Sequence, residues 1–483
     1  MSDKLSRRQF LRISGMGLTV GVLAACAPAA APSAAPSSGS QAAQEGGAAP
    51  SVEPIELIHW GRNPTEEDVV WKKIVALSAE MNPNITITLQ SPPESMVEKL
   101  LIAFAGGTAP DTAVGGLSSF RGWIGINMIN PIQDYVEGDA DVKSWLPDYV
   151  PAALAGYSHQ GSLYGVPTVN EGIFTWYHKD AIEEAGLKPP AEIQDDPDQW
   201  NWNTFLEYAQ ALNIGEGFRR ERFGAIATSK RGINSISEAW GNLMYANGGR
   251  YLDADGENVV IDSPEAAEAV QWVSDLTFKH DVQPNPSEMG AADILDRAMF
   301  QNGQLGMVVQ GEFFRRYLWG TGKPSEGIPF NYDFALMPFN PNTGLRTNIY
   351  HGNGSFMTTQ TETPDAAWDW LKVIFTKEAQ EIITANWGSR GAHTGTYGGF
   401  LESNAGGGPD GLNYDAFNVV DQGTDTYPTT IYLTKEALME PVVRLIYDNI
   451  FADTMSAEEG LAQIAAEATV LLDRGREDHQ ARK

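Results

Sequence analysis

The chain has one cysteine in 483 residues, Cys26. A single thiol cannot close an intrachain disulfide, and zinc sites built on several cysteines are excluded. Histidine is scarce as well: seven residues, at 59, 159, 178, 280, 351, 393 and 479, with no pair at the HExxH spacing of a zinc protease. No GxSxG elbow is present, because Gly156-Tyr157-Ser158-His159-Gln160 lacks the closing glycine, and no GxxxxGK[ST] phosphate loop occurs. Asp253-Ala254-Asp255-Gly256 opens like a calcium loop but lacks the distal Glu, so it predicts a hairpin turn. The sequence therefore predicts neither metal nor cofactor. A glycosidase, which needs only two suitably spaced carboxylates, is the enzyme class left open.

Positive charge is also in short supply. Lys and Arg total 33 against 62 Asp and Glu, a formal charge of −29. Removing residues 1–25 takes Lys4, Arg7, Arg8 and Arg12 but only Asp3, leaving 29 basic against 61 acidic. Such a field repels nucleic acid and anionic lipid and disfavours a highly charged anionic ligand, except where basic side chains cluster locally. No uninterrupted apolar run reaches 18 residues, so no membrane-spanning helix is expected.

What is present begins with an address. Ser6-Arg7-Arg8-Gln9-Phe10-Leu11-Arg12 resembles a twin-arginine export signal, with an apolar stretch over 13–25 too short to span a bilayer. Leu23-Ala24-Ala25-Cys26 resembles a bacterial lipobox, which implies cleavage before Cys26 and a lipid on its thiol. Residues 27–52, dominated by Ala, Pro, Ser and Gly, read as a flexible tether to the membrane. The expected location is extracytoplasmic.

The remaining length suits two domains. Alternation over Ile55–Trp60, helical spacing of Val70, Ile74, Leu77 and Met81, and alternation at Ile85, Ile87 and Leu89 compose a strand–helix–strand unit, and so a parallel sheet. Thr65-Glu66-Glu67-Asp68 marks the start of that first helix, Ser263-Pro264-Glu265 and Thr363-Pro364-Asp365 mark later ones, and Ser456-Ala457-Glu458-Glu459 forms a capping box. The fold class is α/β throughout, with no fixed-period repeat.

Five stretches in order then resemble the extracellular solute-binding proteins of ATP-driven importers, in the group related to maltose-binding protein. They are Gly106-Gly107-Thr108-Ala109-Pro110-Asp111; Leu163–Pro167 with Tyr177–Asp180 and Ala185-Gly186-Leu187; Ala246–Asp253 with Ser263-Pro264-Glu265; Phe300–Met307; and Ala366-Ala367-Trp368 through Ala379-Gln380. The resemblance covers roughly 54–475 and implies a two-lobed periplasmic-binding-protein fold of type II with a ligand cleft between lobes joined by hinge crossovers. It places lobe 1 at 54–166 plus 346–388 and lobe 2 at 167–345 plus 389–475, with 476–483 a tail. One departure is His178 where the family usually carries Asn, a position the resemblance sets beside the hinge. The implied function is capture of a sugar or other small neutral solute for a permease, as a monomer. A polyamine, peptide or phosphodiester on the same scaffold is the alternative.

Ligands of open α/β sheets bind beyond the carboxyl ends of strands. That rule selects Trp60, Arg62 and Asn63 after the first strand, and Ser118 and Ser119 after the third. Trp60 has two readings, a stacking surface or a core ring. The resemblance adds Glu171, with Asn170 beside it, as an acidic contact near the crossover whose other reading is a solvated surface acid. It also adds Phe313 as a stacking ring with Glu312 its neighbour. His351, Gly352, Trp387 and Arg390 flank the late helices, and Trp240 is a stacking candidate or a buried helix residue.

Overall fold

The structure is a computed structural model that describes residues 54–61, 68–92, 96–228, 236, 239–285, 295–319, 331–387, 389–402, 412–421, 425 and 427–482. Arg62, Asn63, Cys26, the export signal, the tether and most of the Thr65–Asp68 helix start lie outside the described residues.

The chain begins β1 (Ile55–Trp60), α1 (Asp68–Met81), β2 (Ile85–Gln90), α2 (Met96–Ala105), β3 (Thr112–Gly116) and α3 (Leu117–Gly125). β1 pairs in parallel with both β2 and β3, which the strand–helix–strand pattern predicts because a parallel partner needs a crossover. β4 (Val166–Glu171) and β5 (Ile173–His178) follow, separated by Gly172 alone, and α4 (Lys179–Glu184) ends this run. Next come α5 (Trp202–Leu212), β6 (Phe223–Ile226), α6 (Trp240–Ala246), α7 (Pro264–Phe278), β7 (Leu305–Gly311), β8 (Tyr332–Leu336) and β9 (His351–Met357). α8 (Pro364–Phe375), α9 (Lys377–Trp387), β10 (Arg390–Gly391), α10 (Ala416–Val420), α11 (Lys435–Asp448) and α12 (Ala457–Arg482) complete it.

Two main sheets result. The first has order β10-β4-β9-β3-β1-β2 and the second β8-β5-β7-β6. Each is buried by its own helices, so the fold is two-lobed α/β. In the first lobe His59 sits inside a ring of tryptophans, its imidazole 4.7 Å from Trp71 and 5.2 Å from Trp370 by ring centroids. In the second, α5, α6, α7, α11 and α12 share one apolar core with one face of the sheet. β4 and β10 hydrogen-bond within the first sheet, so the chain passes from one sheet to the other at Gly172. A Cβ there would lie 2.7 Å from Val420 Cγ2, so the crossover is packed as tightly as a core.

Helix starts follow the sequence signals. The Ser263 hydroxyl accepts from the Ala266 amide at 3.2 Å and Ser456 from Glu459 at 3.2 Å. α8 begins at Pro364 as predicted, but Thr363 makes no side-chain cap. Asp253–Gly256 is the predicted hairpin turn: the Asp253 carboxylate accepts from the Glu257 amide at 2.7 Å, and Gly256 takes φ +73°. One expectation is corrected. His178 lies at the far end of β5 from Gly172, where its Nδ1 accepts from the Ala181 amide at 3.1 Å and caps α4. Its ring does there what an Asn side chain does at an N-cap, so the departure concerns a helix end and not the hinge.

Candidate functional site

The register of the first sheet assembles the predicted edge. β1 and β3 end at Trp60 and Gly116, and antiparallel β9 begins where they end, with His351 opposite Glu171 and Gly352 opposite Asn170. Trp60, Ser118, Ser119, Asn170, Glu171, His351 and Gly352 therefore share one edge. β7 of the second sheet ends at Gly311 beside Ile173, so Glu312 and Phe313 emerge at the same crossover, and the Glu312 amide donates to the Gly172 carbonyl at 2.8 Å. The carboxyl edges of two sheets thus meet at one residue, which is the junction that the crevice rule selects.

At its centre is a buried ion cluster. Arg390 donates from Nε to Glu312 Oε2 at 3.0 Å, and its backbone amide donates to Oε1 at 3.0 Å. Arg390 Nη1 reaches both oxygens of Asp421, at 2.7 and 2.8 Å, and the guanidinium lies 4.4 Å from the Phe417 ring centroid. Asn170 Nδ2 donates to Tyr397 Oη at 2.9 Å and to Asp421 Oδ1 at 2.6 Å. Glu171 accepts from the Ser389 hydroxyl and lies 3.1 Å from His351 Nδ1. Glu312 and Arg390 are 0% and 1% exposed, and at that depth each charge is sustained only by its partners. Burial raises the Glu312 carboxyl, while Arg390 and Arg315 oppose that rise. Burial pulls the Arg390 guanidinium down, yet Glu312, Tyr397 and Asp421 outweigh it and hold the group above its ordinary value.

Beside the cluster, Phe313 packs against bare Gly311, where a Cβ would lie 2.2 Å from the ring, and its centroid is 6.1 Å from His351. Trp60 is half-buried, its indole N–H donating to Gln90 Oε1 at 3.0 Å. Further along, α3 faces the 252–259 hairpin and the 427–432 segment across two cavities, of about 600 and 330 Å³. Both are lined by Arg121 and Ala254 and so form one groove; Asp255 and Tyr432 line the larger, Arg250 and Tyr427 the smaller.

With this geometry in view, a family model described as bacterial extracellular solute-binding protein matches residues 63–381, more than half of the chain. The chain belongs to that family. An arabinooligosaccharide-binding protein of Halalkalibacterium halodurans is 24% identical over 325 residues, covering 65% of this chain and 66% of its own, just under two thirds of that relative. A mannitol-binding protein of Pseudomonas aeruginosa is 31% identical over 198 residues, 40% of this chain and 41% of its own. Among solved structures, an ABC substrate-binding protein of Listeria monocytogenes in complex with cycloalternan superposes with a TM-score of 0.72 at 18% identity, over 87% of this chain and all of that one. A maltose-bound protein of T. maritima reaches 0.69 at 19%, over 86% and all of its length. These likenesses show the fold.

Within the family frame, the predicted residues divide by environment. Glu312 pairs with Arg390, Asn170 joins them through Asp421, Glu171 is held by Ser389 and His351, and Ser118 and Ser119 are buried at the start of α3. Gly352 permits close strand approach, since a Cβ would lie 2.4 Å from the Val169 carbonyl oxygen. Two tryptophans are core residues. Trp240 is fully buried with its ring 6.2 Å from Phe451, and Trp387 is buried against Trp71 at 6.0 Å. The sequence reasoning missed Arg121, Arg250, Tyr427 and Tyr432. Arg121 had a readable signal, being one helical turn beyond Ser118; the other three reach the groove only through contacts distant in sequence.

Proposed function

We propose that the chain binds a carbohydrate between its lobes, closes on it, and presents it to the permease of an ATP-driven importer. We further propose extracytoplasmic residence through a lipid on Cys26, export by the twin-arginine signal, a monomeric state, and lobe boundaries near 166–172 and 346–351. The reading is supported by the family and by the sugars and polyol for which its relatives are named. The observation that carries it is the meeting of two carboxyl edges at Gly172, with a groove between α3 and the 252–259 hairpin further along. A ligand that touches both walls favours the closed arrangement by its differential affinity alone, with no covalent chemistry. Tyr427 and Tyr432 line the groove, and the surrounding charged and amide groups offer partners for sugar hydroxyls.

Thermal melting and tryptophan fluorescence of the purified chain with a panel of mono- and oligosaccharides test the proposal. A sugar that raises the melting temperature in a saturable way is the expected result. Silence across the panel, with a response to a polyamine or peptide, would replace the carbohydrate by that ligand on the same scaffold.

A further inference from the structure

Arg121 differs from the other cations of the groove. Arg250 is paired with Asp425 at 3.2 Å and lies 4.3 Å from the Tyr245 ring centroid. Arg476, which lines neither cavity and lies 5.1 Å from the Tyr432 ring centroid, donates to the Glu257 backbone and lies 3.6 Å from its carboxylate. The acids are similarly engaged: Glu257 accepts from the Tyr432 hydroxyl at 2.8 Å, and Asp253 is spent on its own turn. Arg121 is half-buried and lines both cavities, yet among the described residues no hydrogen bond or ion pair reaches its guanidinium. Asp255 acts on it only through space, from the exposed tip of the hairpin. Burial lowers the Arg121 guanidinium against that attraction, and burial together with Arg121 lowers the neighbouring His159. Burial is the larger cause in both groups, and at Arg121 the Asp255 carboxylate offsets part of it.

A guanidinium presents five N–H donors in a planar fork that fits a carboxylate with two parallel hydrogen bonds. Neutral hydroxyls satisfy such donors one at a time and leave the charge uncompensated. His159 lines the same cavity and could donate to the carboxylate from its flank. The α3 position also gives the contact a mechanical consequence. An anion held on Arg121 of the first lobe would face Tyr432 and the 252–259 hairpin of the second, so it would be gripped only when the groove is closed.

We infer that Arg121 is a specificity-determining residue that receives a carboxylate of the ligand, so that the solute is an acidic, uronate-bearing sugar and not a neutral one. This rests on the carbohydrate reading above and narrows it. The overall negative charge and the Asp255 carboxylate in the same cavity both work against an anion, so the contact depends on the Arg121 N–H donors, which no hydrogen bond occupies among the described residues.

The test is titration calorimetry on the purified chain with short oligomers of galacturonate and of glucuronate. Each is set against the neutral galactose or glucose oligomer of the same length and linkage. One acidic oligomer is expected to bind at least about ten-fold more tightly than its neutral counterpart, as charge-assisted hydrogen bonds allow. Arg121→Gln is expected to lower that affinity about ten- to hundred-fold and to abolish the preference, with Arg121→Lys restoring part of it. Because no hydrogen bond or ion pair reaches the Arg121 guanidinium among the described residues, the melting temperature of the ligand-free variants should stay close to the wild-type value, which separates a binding defect from a folding one. Equal or tighter binding of a neutral oligomer overturns the inference and leaves the carbohydrate reading standing. Undiminished acid preference in Arg121→Gln overturns the role of Arg121. Absence of heat with all four sugars overturns the inference, and the wider saccharide panel then decides whether the carbohydrate reading falls with it.

Discussion

His59 is enclosed by Trp71 and Trp370, and burial holds its imidazole down to about 3. Its Nδ1 lies 2.9 Å from Thr112 Oγ1 and receives the Trp370 indole N–H at 3.2 Å, so the neutral ring is the one that fits. The unfolded chain protonates this histidine near its ordinary 6.5 while the folded chain resists until about 3. The resulting stability is complete above pH 6.5 and is lost as pH falls through that window, by about 1.4 kcal/mol per pH unit. Melting temperatures between pH 7 and pH 5 should fall more steeply for the wild type than for His59→Asn, although the variant starts lower. Arg390 presents the opposite case. Arg390→Met would strand Glu312 and Asp421 without their cation, at a cost of about 3–5 kcal/mol in urea unfolding. The double change Arg390→Met with Glu312→Leu should recover part of that loss. His59 was legible only as a residue of a strand, because its tryptophan cage comes from α1 and α8, the latter some 300 positions away.

At the scale of elements, α3 is held by glycines that a helix ordinarily avoids. A Cβ on Gly125 would lie 1.6 Å from the Ile431 carbonyl oxygen and one on Gly122 2.6 Å from that of Leu433. The backbone of 431–434 therefore lies directly on the helix, and His479 of α12 reaches the Gly125 carbonyl from the other side, Nδ1 to O 3.0 Å. Gly125→Ala should lower stability by about 1–3 kcal/mol, the cost of overpacking, and should increase protease cleavage within 427–434. Gly138→Ala, where a Cβ would meet nothing within 4 Å, serves as the control and should change stability by less than about 0.5 kcal/mol. From the sequence, Ser118 and Ser119 were legible only as residues beyond the third strand. What α3 packs against, and hence why Gly122 and Gly125 are glycines, was invisible because the contacting segment lies some 300 residues away.

For the whole molecule, the consequence of a groove shared by two lobes is that ligand binding and stability are linked. A solute that binds only the folded, closed chain should add about 2.7 kcal/mol to the unfolding free energy at a hundred times its dissociation constant. Thermal melting across a ligand series should follow that logarithmic dependence. A melting temperature that stays flat above saturation of the fluorescence signal would mean that the unfolded chain binds the solute as well.

Periodicity, punctuation and composition determined the α/β class, the parallel β1–β2 pair, the helix caps and the family, because each depends on neighbours within a few residues. Glu171 and Glu312 were legible through the family resemblance, and Arg390 as a residue flanking the late helices. The tertiary structure decided that Glu312 and Arg390 pair at the crossover while Glu171 meets His351 and Ser389, that Trp240 and Trp387 fill cores, and that no hydrogen bond or ion pair among the described residues reaches the Arg121 guanidinium. Burial and pairing are set by segments brought together from across the chain, and a charge or an aromatic ring acquires its role only when those neighbours are in place.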